Sequence, residues 1–360
     1  MRSFTLGSRQ HGGIFKRFLS MAAVLGAWWT TSGCDTEPAP PPAKSTWQYV
    51  AAELPGAIFS VWGSGASDVW MVGARDPAKS ADGPTVLRWN GKAWSRLKIA
   101  APGIDLWWVA GTAKGDEVLM CGTGGTIARW IKATGAVELM PTPDKSQLFG
   151  VLPVSASEAW AVGGAPGGPG LVWRWDGKVW AAADVPSELI KQTTQWFKAF
   201  KHQDVLWIVG LDGKILRYDG KTWTSPASGT ETGLRTIHCA GKLCAAVGGY
   251  ASGEIIELHD GQWKKATPGK MLMLNGVFLQ ADGSGSAVGA NGNIWRRSTA
   301  GVWSDTGAGD VTEAFEDYHG VWMDSAGGLW AVGGQLMSAP QINGQVVYYG
   351  PSAISKAMPK

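Results

Sequence analysis

An all-β chain built from seven repeated units is predicted, on three observations. The 360 residues include 22 Trp and 51 Gly but only 17% charged residues. Large aromatics between glycine-rich turns favour many short, packed strands, and no long stretch of 3.6-residue periodicity opposes them. The unit x-x-Val-Gly, or a near copy of it, recurs as "WMVG", "LMCG", "WAVG", "WIVG", "AAVG", "SAVG" and "WAVG", with its glycine at Gly73, Gly122, Gly163, Gly210, Gly248, Gly289 and Gly333. In "NGKAW", "DGKVW", "DGKTW" and "DGQW", Asn-Gly or Asp-Gly stands between apolar stretches, a strong hairpin signal because type I′ turns need positive φ at both central residues. Four short strands at a period of ~40–45 residues make one blade of a β-propeller. The predicted fold is therefore a seven-bladed β-propeller of four-stranded antiparallel blades.

Along the chain, residues 1–17 are basic and acid-free, and an apolar run from Phe18 to Trp29 follows. A basic start, a short apolar core and small residues ahead of a cut site predict an export signal over residues 1–33, too short to be a spanning helix. Ser32-Gly33-Cys34 resembles the lipobox of bacterial lipoproteins, which implies lipidation of Cys34. Thr31 stands where that pattern usually has Leu, so ordinary signal-peptidase cleavage remains the alternative. Residues 34–45, with "DTEPAPPPAKS", are polar and Pro-rich and read as a semi-extended tether. The expected location is the bacterial cell envelope, with the chain anchored to the outer membrane or cell surface through its lipid.

The propeller is expected over residues 46–350. Each unit opens with a strand such as "IFSVWG", continues through the Trp-x-Val-Gly strand and a variable loop, and then forms a third strand such as "VLRW" or "KILRY". A tight turn and a Trp-bearing fourth strand complete it. The last unit ends at "QVVYYG" with no fourth strand, and "STWQYV", carrying Trp47, stands unused ahead of the first unit. The N-terminal strand is thus predicted to close the ring and leave no open edge. A blade packed between two others buries both its faces, which explains the recurring Trp as core, with glycine marking a close approach at the strand end. Residues 351–360 are left as a C-terminal tail.

The repeats resemble the WAVG-type repeats of secreted propellers in Gram-negative bacteria. More distantly they resemble the sialidase-type Asp-box and photosystem II assembly-factor-like propellers. The Asp-box pattern is not met, since "YDGKTW" is one residue short, and no arginine can be assigned to a sialidase triad. Fragments such as "GKAW" also resemble part of the tryptophan-docking repeat of quinoproteins.

Charge excludes one partner class. Four of the 32 Lys and Arg lie in residues 1–33, which leaves 28 basic against 29 acidic residues beyond them. Such a balance has no electrostatic footprint for nucleic acid. No catalytic residue, metal site or cofactor is assigned. Asp176, Asp219 and Asp260 read as turn formers, like Asn90 in the same place. His238, His259 and His319 occupy positions of packed aromatics, and His202 falls in a turn. In "IHCAGKLCAAVG", a Gly241-Lys242 turn of type II′ would place Cys239 opposite Cys244 at about 4.5 Å between Cα atoms, near disulfide range. Two buried thiols are the alternative. Cys121 has no obvious partner.

Two functions stay open. One is a non-catalytic binding or scaffold module, monomeric, for an envelope or extracellular protein or glycan. The other is a propeller hydrolase or lyase acting on a glycan, with acids or histidines gathered over the channel. Long insertions at 74–85, 164–170, 182–195 and 335–345 fall on the face that carries the second-to-third-strand loops and the blade connections. Arg75, Asp82, Glu188, Lys191, Glu316 and Asp317, within or beside them, are the candidate ligand contacts. Solvated loops without a ligand are the bland alternative.

Overall fold

The computed structural model describes residues 44–307 and 317–359. The predicted export signal, Cys34, the predicted tether up to residue 43 and Glu316 lie outside the described residues. Seven four-stranded antiparallel sheets form the predicted ring: six use consecutive strands, and one combines the last three strands of the chain with its first. Blades 1 to 6 span 58–96, 106–140, 148–182, 196–224, 234–265 and 274–305. In blade 7, the strands Asp317–Met323, Leu329–Gln335 and Ile342–Gly350 are joined at the outer edge by Thr46–Leu54. The register there runs Thr46 with Gly350, Trp47 with Tyr349 and Gln48 with Tyr348, so the predicted closure holds.

The seven repeated glycines share one cause. A Cβ at Gly73, Gly122, Gly163, Gly210, Gly248, Gly289 or Gly333 would lie closer than 3.0 Å to the carbonyl oxygen of Ala57, Asp105, Gln147, Gln195, Gly233, Met273 or Asp317 respectively, at the start of the same blade's first strand. None of the seven has a positive φ, so space rather than conformation demands glycine. Three residues before this glycine, the tryptophans Trp70, Trp160, Trp207 and Trp330 are 0–7% exposed. Each meets a ring of the next blade: Trp70 with Trp130 at 4.7 Å, Trp160 with Trp223 at 5.9 Å, Trp207 with Trp263 at 5.5 Å and Trp330 with Trp94 at 5.8 Å. These indoles are the inter-blade core.

Two local expectations need correction. Of the four Asn-Gly and Asp-Gly hairpins, only Asp260-Gly261, with φ of 52° and 77°, has positive φ at both residues, between paired His259 and Gln262. The other three turns are four-residue loops between Trp89 and Trp94, Trp175 and Trp180, and Tyr218 and Trp223. There the Asn or Asp oxygen accepts the backbone N–H groups two and three residues ahead. The second correction concerns His259, which is not packed like the aromatics it aligns with. Its side chain is 45% exposed, with Nε2 lying 3.0 Å from the Glu257 carboxylate.

The expected disulfide is present. Cys239 pairs with Cys244 and Ala240 with Leu243, the sulfurs are bonded, and the Cα atoms lie 4.0 Å apart. Gly241 takes φ 58°, as a type II′ turn requires. Cys121 is a buried free thiol. Residues 351–359 lie against the ring: the Gln48 amide bonds Ser352 and Ile354, Trp94 Nε1 donates to the Ser355 carbonyl, and Ile354 and Met358 pack on the cluster containing Trp94 and Trp330.

Candidate functional site

Every first strand carries an irregularity at one position, between Ile58 and Ser60 in blade 1 and at the equivalent place in the other six. A bulge re-aims the extra side chain. The seven residues set apart in this way are Phe59, Trp107, Phe149, Phe197, Arg235, Asn275 and His319. Phe59 stacks on Trp107 at 4.3 Å, and Trp107 meets Phe149 at 6.1 Å and, from blade 2 to blade 7, His319 at 6.1 Å. Phe149 meets Phe197 at 5.3 Å, and the Arg235 guanidinium sits 5.5 Å above Phe197. First strands start at the blade-connection end, so these side chains form an aromatic plug at the loop-bearing end of the central channel. His319, in the place of Phe59 as aligned, brings Nδ1 to 2.5 Å from the Phe59 carbonyl, and burial pushes its pKa down to about 3.

Behind the plug lies a cavity of about 470 Å³ that reaches toward the opposite face, the one with the short turns, where Gly63, Ser64, Ala113 and Lys201 line it. Its walls include Trp62, Trp108, Phe200, His238, Phe278 and Trp322. His238 sits between Phe200 and Phe278 at 4.5 and 4.2 Å, its Nδ1 accepts the Leu279 N–H, and burial lowers its pKa to about 3. Lys198, which sequence reasoning did not single out, is buried in the cavity wall: it is 5% exposed, and its Nζ donates to the Phe149 carbonyl at 2.5 Å and stands 4.3 Å over the Trp108 ring. Burial lowers its pKa to about 7, with the Cys121 sulfur opposing the shift and Arg235 adding to it. Among the described residues, no Asp or Glu lines this cavity, and no group of three His, Cys, Asp or Glu that could hold a metal ion occurs.

The five described candidate contacts, Arg75, Asp82, Glu188, Lys191 and Asp317, lie in or beside loops and connections of the loop-bearing face but form no single cluster. Arg75 is a strut: its Nη1 donates to the Asp105 carboxylate at 2.7 Å and to the Gly103 carbonyl at 3.0 Å, tying the blade 1 loop to the connection into blade 2. Asp82 is exposed at the end of that loop's 3₁₀ segment, Pro77–Asp82. Glu188 and Lys191 are exposed on and just after the helix Ser187–Ile190, which precedes blade 4. The Asp317 carboxylate accepts the Asn291 N–H at 3.0 Å. Four clefts of about 430–720 Å³ lie between neighbouring loops of this face. One of them is lined by Arg75, Asp105 and the segment Ala339–Gln341.

The sequence matches no protein-family model and no curated protein. Among solved structures the chain is similar to YCF48 from Cyanidioschyzon merolae, with 12% identity, a TM-score of 0.61 and coverage of 85% of this chain and 99% of that one. It is also similar to the WD40 β-propeller domain of Doa1, with 12% identity, a TM-score of 0.60 and coverage of 86% and 98%. The WD40 repeats of RRP9 give 10% identity, a TM-score of 0.65 and coverage of 86% and 99%. At such identities the likeness concerns architecture, and it agrees with the sheet order: the chain is a seven-bladed β-propeller.

Proposed function

We propose that this chain is an exported, lipid-anchored propeller that acts as a non-catalytic binding or scaffold module, offering its loop-bearing face to an envelope or extracellular protein or glycan. The observation that carries this reading is the concentration of clefts between the long loops and the blade connections on one face, above a channel end filled by aromatic rings. Loops on a rigid scaffold are where recognition is usually placed, and a surface made of several shallow clefts suits an extended partner. The basic and apolar N-terminus, read as an export signal, and the lipobox-like Ser32-Gly33-Cys34 support the anchored part of the reading.

Shortening the loops at 74–85 and 182–195 tests the binding face. Crosslinking in envelope extracts and glycan-array binding should both fall by about tenfold or more. Stability should stay within about 0.5 kcal/mol, as expected of surface changes. Binding that survives both deletions would place recognition elsewhere. Acyl-chain labelling with membrane fractionation tests the anchor. The Cys34→Ala protein should be unlabelled and released, and an unlabelled, soluble wild-type protein would overturn lipidation.

A further inference from the structure

We infer that the central channel is a second binding site, for a small organic carboxylate with an aromatic or aliphatic body. The anionic end would sit on the Lys198 ammonium, with the body between Trp62, Trp108 and Trp322. This face, ligand class and residue set are separate from the loop-bearing surface proposed above.

Three observations lead there. The cavity, at about 470 Å³, has the size of small-ligand sites; the plug fills one end and Gly63, Ser64 and Ala113 line the other. Its walls combine aromatic rings with aliphatic residues such as Val61, Leu152, Ile237 and Val277, which favour a flat or aliphatic body over a hydrated sugar. Facing the cavity is a lysine that is 5% exposed, which meets the Phe149 carbonyl and the Trp108 ring, and no carboxylate among the described residues is ion-paired to it. Burying an ammonium is costly unless an anion meets it; the neighbouring Cys121 sulfur favours the charged lysine while Arg235 opposes it. One N–H of Lys198 is held by Phe149, leaving two donors for a ligand. At the equivalent position the other blades carry Ser60, Trp108, Gly150, Thr236, Gly276 and Gly320, so a cation is not something the fold demands there.

The charged and titratable groups around Lys198 leave its titration readable. Burial raises the Cys121 thiol to about 12 and lowers His238 and His319 to about 3. Arg235 stays cationic, and Lys201 at the mouth is held by Glu158 at 2.9 Å. Lys198, near 7, therefore changes its charge between pH 6 and 9, whereas the Cys121 thiol and the two imidazoles do not.

The test titrates the purified chain with 2-naphthoate and with neutral 2-naphthamide, followed by calorimetry and tryptophan fluorescence. Naphthoate is expected to bind at least ~10-fold more tightly than the amide at pH 6. Its affinity should weaken by up to ~100-fold at pH 9, because only the protonated fraction of Lys198 is competent. Lys198→Met should bind both compounds alike, with no pH dependence over that range. Equal affinity of acid and amide for the wild-type protein, absence of naphthoate binding at millimolar concentration, or an unchanged acid preference in Lys198→Met would each overturn the inference and leave Lys198 as a brace on the plug. If Lys198→Met does not fold, the wild-type acid-to-amide ratio and its pH series decide alone.

Discussion

A single hydrogen is all that Gly163 can carry. Its added Cβ would meet the Gln147 carbonyl oxygen, which immediately precedes the blade's first strand, Leu148–Ser155. Gly163→Ala should therefore destabilise by about 3 kcal/mol, the upper range for forced overpacking, read as a lower urea midpoint with unchanged slope. At Trp330, the loss of contact with Trp94 and Tyr348 should cost Trp330→Ala about 3–5 kcal/mol by the same measurement. Stability should also follow pH in two windows. Lys198 near 7 contrasts with about 10.4 in an unfolded chain, so the unfolded state holds more protons between those values and stability rises with pH there. Lys198→Met should flatten that limb and be the more stable protein at pH 6. His238 and His319, near 3 when folded, titrate near 6.5 when unfolded, so stability falls as pH drops below about 6.5. The repeated glycines and indoles were legible because they recur. Lys198 occurs once, and only the alignment of seven first strands at their bulge makes a charged residue conspicuous there.

Strands, and the order in which they pair, were written plainly in the sequence, while the geometry of their turns was not. An Asp-Gly pair serves two devices. As the two central residues of a hairpin it needs positive φ twice, and that occurs at Asp260-Gly261. As the opening of a four-residue loop, the Asp keeps ordinary φ and its carboxylate gathers two N–H groups, as Asp176 does from Val179 and Lys178. Those bonds hold the Asp176 and Asp219 carboxyls below the usual range. Only the distance to the next paired residue separates the two devices, and a one-residue uncertainty in strand ends conceals it. Their responses should differ. Asp176→Ala leaves the Lys178 and Val179 N–H groups without their acceptor and should lower the melting temperature. Asp260→Gly, at a position where glycine suits the backbone, should stay within about 0.5 kcal/mol. Thermal melts of the two variants measured together make the comparison. The cysteine hairpin was legible for the opposite reason: a two-residue turn fixes its register, so spacing alone placed Cys239 across from Cys244.

A ring differs from an open stack because its last interface depends on both ends of the chain. Removing residues 35–52 takes away most of the strand that pairs with Val346–Gly350 and the Gln48 amide that holds the tail at Ser352 and Ile354. The expected outcome is loss of the cooperative transition at the wild-type midpoint, checked by calorimetry, whereas an unchanged melt would mean that six blades and a three-stranded seventh suffice. That pairing also sets a clock. Thr46 lies among the first residues of the fold to be synthesised and its partner, Gly350, among the last. At roughly 5–20 residues per second, some 15–60 s separate their appearance. Through that interval the Val346 edge does not yet exist, and Thr46–Leu54 is a free strand available to any other sheet edge. A ribosome stalled anywhere before residue 346 thus releases a chain whose first strand has no mate of its own, and neighbouring copies of that chain are the most abundant substitute.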